Sequence, residues 1–71
     1  MCIVALKSMT YAIKAKNALS DYYIDAEIVK LEPNMTKKGC SYGVSFNCVN
    51  FESVKEALKK GAIKYNEIIR Y

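Results

Sequence analysis

Cys2-Ile3-Val4-Ala5-Leu6 is an unbroken apolar run closed by Lys7 and Ser8. It is too short for a helix, and no polar residue alternates along it, so it reads as a central strand. The rest of the chain must supply partners and cover for it.

The period then changes. Ser8 or Thr10 can cap a helix, because a hydroxyl oxygen accepts the unpaired amides of a first turn. Ala12, Ala15, Leu19 and Tyr22 follow along one side, with Lys14, Lys16, Asn17 and Ser20 on the other. From Tyr23 the spacing becomes two, with Ile24, Ala26 and Ile28 alternating with Asp25 and Glu27. Val29 and Leu31 break that alternation, which predicts a bulge or a covered second face near the strand's end. Pro33-Asn34 stops it, and residues 33–41 form a connection longer than a tight hairpin needs. Val44, Phe46 and Cys48 then alternate with Ser45 and Asn47 as a third strand. Asn50 is placed to cap a second helix with Glu52 in its first turn and Val54, Ala57 and Leu58 as its apolar stripe. Lys59 and Lys60 suit its last turn, and Gly61 suits a left-handed closing position. Residues 63–71 read as a final strand.

Strand, helix, strand, strand, helix, strand is the split βαβ order. It predicts one ferredoxin-like α+β domain over residues 1–71, with a four-stranded antiparallel sheet in the order 4-1-3-2 and both helices on one face. In the predicted register Leu6 faces Val44, Val4 faces Phe46 and Cys2 faces Cys48. The face away from the helices is expected to carry Ile3, Ala5 and Val29 beside Asp25, Glu27, Ser45 and Asn47. Such a face favours weak or edge-based homodimerisation over a broad hydrophobic contact.

Composition removes several chemistries. Histidine is absent from the 71 residues, which excludes Ser-His and Cys-His devices and most transition-metal sites within one chain. The three cysteines are an odd number at irregular spacing, which argues against a disulfide framework, and no zinc pattern or other metal or cofactor signature is present. Cys2 and Cys48 are expected to be reduced core residues. No run is long and apolar enough for a membrane span and no export leader is recognisable, so the expected compartment is the cytoplasm. The net charge of +4 is modest and fits a solvated surface. Six tyrosines invite a base-stacking role. However, the first strand has no aromatic residue and Lys38-Gly39…Tyr42-Gly43-Val44-Ser45-Phe46 has the wrong spacing for an RNA-recognition signature, which argues against nucleic acid as the partner.

Lys37-Lys38-Gly39-Cys40-Ser41-Tyr42-Gly43 is the segment least explained by folding. Strands 1 and 2 run parallel in the predicted topology, so Ser8, Met9 and Thr10 should lie at the same end of the sheet as Cys40. The helix start and the two lysines would activate an exposed Cys40 thiol as a nucleophile or group carrier. Gly39, Ser41 and Gly43 would shape the anion-binding loop.

Over nearly its whole length the chain resembles the Putative Se/S carrier protein-like family. The resemblance rests on Ser8-Met9-Thr10 with Ala12 opening the first helix, on Leu19, and on Cys40 after the second strand. It implies a cysteine that carries sulfur or selenium and a protein that donates or accepts the group. The reading from sequence is therefore a carrier or redox relay acting through Cys40, rather than a self-contained enzyme. The alternatives are a non-catalytic interaction or ligand-sensing module and, behind it, a binder of single-stranded RNA.

Overall fold

A computed structural model describes residues 1–32, 34 and 40–70. The elements are β1 (Cys2–Leu6), α1 (Met9–Asp21), β2 (Ala26–Lys30), β3 (Tyr42–Phe46), α2 (Phe51–Lys60) and β4 (Glu67–Arg70), with a 3-10 turn, Cys48–Asn50, leading into α2. The sheet order is β2-β3-β1-β4, and every neighbouring pair is antiparallel. This is the ferredoxin-like layout read from the sequence. The apolar run of β1 is buried from end to end because both of its faces are covered.

On the helix face, Cys2, Val4 and Leu6 of β1 meet Val44 and Phe46 of β3, with Ala12, Ala15 and Leu19 of α1 and Val54, Ala57 and Leu58 of α2 above them. The alanines of α1 bring that helix close to the sheet, whereas Tyr22 at its end is 37% exposed. Ser8 caps α1, its Oγ accepting the Tyr11 N–H at 3.3 Å.

A second, smaller cluster lies on the other face. There Ile3, Ala5, Leu31 and Cys40 are buried together, with Val29 and Ile69 packed against them. The row Glu27–Ser45–Ile3–Ile69 and the row Val29–Gly43–Ala5–Glu67 cross this face. It is only partly apolar, as expected: Glu27 and Ser45 share it, and Glu67, not named in the sequence reading, adds a second acid at the β4 edge. Asp25 and Asn47 fall outside the strands. Leu31, which broke the sequence alternation, covers this second face. Gly43 leaves it room: a Cβ there would stand 2.5 Å from Ile3 Cγ2 and 3.1 Å from Leu31 Cδ1.

Several local expectations are corrected. The β1–β3 register is displaced by two residues, pairing Leu6 with Tyr42, Val4 with Val44 and Cys2 with Phe46. Period-two spacing continues through Cys48, but the strand ends earlier because the Asn47 side chain accepts the Val49 N–H at 3.0 Å and turns the chain. Asn50 makes no side-chain cap, since this turn already delivers the chain into α2. At the end of α2, Gly61 stays right-handed at φ −79° and Ala62 takes the left-handed place at φ 52°. The Gly61, Ala62 and Ile63 amides return to the carbonyls of Ala57, Lys59 and Leu58, which holds Ala62 there. That closing turn leaves β4 to begin at Glu67 rather than at position 63.

Candidate functional site

β1 and β2 are parallel with β3 between them, so Leu6 and Lys30 both pair with Tyr42 at one end of the sheet. The Leu31 N–H donates to the Ser41 carbonyl at 2.8 Å, extending that ladder past the strand ends. These constraints bring Cys40 over the face away from the helices, against Ile3, Ala5 and Leu31. The expectation of an exposed thiol is overturned: Cys40 is 3% exposed. A cysteine side chain behaves as a small hydrophobe, and an apolar sheet face is available beneath it.

The sulfur nonetheless has a polar contact. Asn66 Nδ2 donates to Cys40 Sγ at 2.7 Å. Asn66 is itself anchored, its backbone N–H donating to the Ala5 carbonyl at 2.9 Å. The central strand therefore fixes both the surface under the sulfur and the amide beside it.

Asn66 also borders a groove of about 500 Å³, together with Lys7, Tyr11, Ile63, Lys64 and Tyr65. Lys7 follows β1 and Lys64 precedes β4, and antiparallel pairing brings those two strand ends together. The Lys14 ammonium lies 5.7 Å from the centre of the Tyr11 ring, adding positive charge nearby. Among the described residues no acidic side chain lines the groove.

The residues singled out in the sequence have different fates. The Ser8 hydroxyl caps α1, and Met9 and Thr10 are exposed in its first turn. Tyr11, one turn-position on, shares the groove with Asn66, which touches Cys40. Ser41 is exposed, and its carbonyl belongs to the sheet ladder. Gly43 is buried between Ala5 and Val29, where packing accounts for it. Lys37, Lys38 and Gly39 lie outside the described residues. Lys7, Lys64 and Asn66 escaped the sequence reading because a final strand over 63–71 absorbed the last two. The signal was present in Lys64-Tyr65-Asn66, a polar stretch unsuited to the start of a buried strand.

Cys2 and Cys48 are joined by a disulfide, with Cα atoms 5.2 Å apart and a sequence separation of 46. The expectation of reduced thiols is overturned; it rested on an odd cysteine count and an assumed compartment, neither of which constrains geometry. The neighbourhood itself was anticipated, although the 3-10 turn, not strand pairing, produces it. Cys2 belongs to the helix-side core and Cys40 to the cluster on the opposite face. The sheet therefore separates the disulfide from the Cys40 thiol, and direct exchange between them would require breaking the sheet.

Among the described residues no group of three or more His, Cys, Asp or Glu side chains could hold a metal ion. Nor is any helix among them long and apolar enough to cross a membrane. No curated protein and no solved structure matches the chain. The family model described as "Putative Se/S carrier protein-like" matches residues 1–70 of the 71, and the chain belongs to that family.

Proposed function

We propose that Cys40 carries a sulfur or selenium atom between protein partners. The observation that supports this most is the hydrogen bond from Asn66 Nδ2 to Cys40 Sγ at the margin of a basic groove. In the loading step the Cys40 sulfur attacks the outer sulfur of a donor persulfide. A new S–S bond forms to Cys40, the donor's own S–S bond breaks, and the donor leaves as a thiol. One proton remains on the transferred sulfur, and no outside oxidant is consumed. Unloading is the same exchange in reverse toward an acceptor thiol. Selenium follows the same course.

Asn66 holds the sulfur in one rotamer through both steps, and the flanking Ile3 and Leu31 keep water and oxidants from the bound atom. The chain has no histidine to act as general base, so it serves as a relay rather than a self-contained enzyme. A cytoplasmic location is part of this reading. Disulfides in that compartment are usually transient, so Cys2–Cys48 would cycle between bridged and reduced forms there.

A second reading is favoured by the 3% exposure of Cys40: an interaction or ligand-sensing module in which this cysteine only packs. Cyanolysis separates the two. After incubation with a low-molecular-weight persulfide, the wild-type protein should yield one equivalent of thiocyanate and Cys40→Ser none. Equal yields from both would leave the packing reading in place.

A further inference from the structure

The groove beside Asn66 has a chemistry of its own. Two ammonium groups, Lys7 and Lys64, and two phenols, Tyr11 and Tyr65, border a space within the usual range for a small-molecule site, and among the described residues no carboxylate lines it. Ammonium groups and phenolic O–H donors together suit a small oxyanion. Asn66 forms part of the lining and also touches Cys40 Sγ, so a ligand reaching Asn66 is one side chain away from the sulfur.

We infer that this groove seats the oxyanion end of a small anionic sulfane donor of the thiosulfate type, with its outer sulfur directed past Asn66 to Cys40. The inference rests on the carrier reading for the transfer step, though not for the binding. Cys40 sulfur attacks the outer sulfur of thiosulfate, the donor's S–S bond breaks, and sulfite leaves with the bonding pair and the two negative charges. The thiol proton stays on the new persulfide, so charge and electrons balance without another reactant. Lys7 and Lys64 hold the leaving sulfite, which is where they would act on the rate.

Binding is tested first on Cys40→Ser, which cannot accept sulfur. Titration with thiosulfate, followed by two-dimensional amide NMR, should give saturable shifts clustered at Lys7, Tyr11, Lys64 and Asn66. Those shifts should weaken by about tenfold in Lys7→Glu/Lys64→Glu and should fade with added salt. Both lysines are exposed, so the fold should survive; single Lys→Gln variants serve if the double variant does not fold. Shifts that do not saturate, or that ignore the lysine changes, overturn the groove assignment.

Transfer is tested on the otherwise wild-type chain. Sulfite release should match Cys40 persulfide formed, and Lys7→Glu/Lys64→Glu should slow loading from thiosulfate while sparing loading from a neutral organic polysulfide. Loading from the neutral donor alone, with anion binding intact, overturns the donor class. Loading from neither donor overturns the carrier reading and leaves the groove as an anion site.

Discussion

Reducing the Cys2–Cys48 bridge should destabilise the domain more than any single side-chain change proposed here. The bridge joins the first residue of β1 to the turn before α2, across a sequence separation of 46. Closing a loop of that length removes roughly 13 cal/mol/K of entropy from the unfolded chain, or about 4 kcal/mol at 25 °C, with native bridges delivering about 2–4 kcal/mol in practice. For a domain of this size about 1 kcal/mol moves the melting midpoint by roughly 4–8 °C, so reduction should lower it by about 10–30 °C. The assay is thermal unfolding by circular dichroism with and without a phosphine reductant, with mass spectrometry confirming the gain of one disulfide's worth of hydrogen. Cys2→Ala/Cys48→Ala should be at least as unstable as the reduced wild type, since it also empties a fully buried site. A confirmed reduction that moves the midpoint by less than about 5 °C would refute the reasoning, because the unfolded chain would then gain little freedom from losing the bridge.

Other outcomes follow from the packing. Gly43→Ala should cost about 1–2 kcal/mol in urea unfolding: overpacking of about 1–3 kcal/mol against Ile3 and the Val4 carbonyl, offset by about 0.4–1 kcal/mol of lost unfolded-state freedom. A neutral or stabilising result would contradict that close approach. Ser8→Ala should cost about 1 kcal/mol through the lost cap and leave sulfur loading unchanged, whereas lost loading would return Ser8 to the anion site. Leu31 and Cys40 cover the centre of the face away from the helices and Glu27 and Glu67 lie toward its edges, so light scattering should report a monomer or weak, concentration-dependent association. A tight dimer at low concentration would show that face, or an edge strand, to be a strong interface.

The layout was legible because it is written in periodicity. The β1 run, the alternation through Ile28 and again from Val44, and the helical spacing of Ala12, Ala15 and Leu19 all survive in the structure. Val29 and Leu31 left a bulge or a covered second face open, and the structure shows the covered face. What covers it was not legible, because Cys40 reaches that face only through tertiary packing. The register slipped because period two cannot show where a strand stops, and the Asn47 side chain ends β3 before Cys48. The disulfide was hidden for a related reason: 46 positions of sequence separate two cysteines that a turn brings together. The groove is the least local feature of all, since Lys7 and Lys64 come to border one groove only when β4 pairs with β1. The family resemblance pointed to Cys40 but carried no information about its amide partner.

The carrier account turns on what Cys40 holds when the protein leaves the cell. Protein purified without reductant and digested under acid should show the Cys40 peptide with an added mass of about +32 Da for one sulfur, or about +80 Da for one selenium. The same peptide from Cys40→Ser should carry neither, and the Cys2 and Cys48 peptides should appear linked to each other. An unmodified Cys40 peptide, both as purified and after exposure to a persulfide donor, would contradict the account.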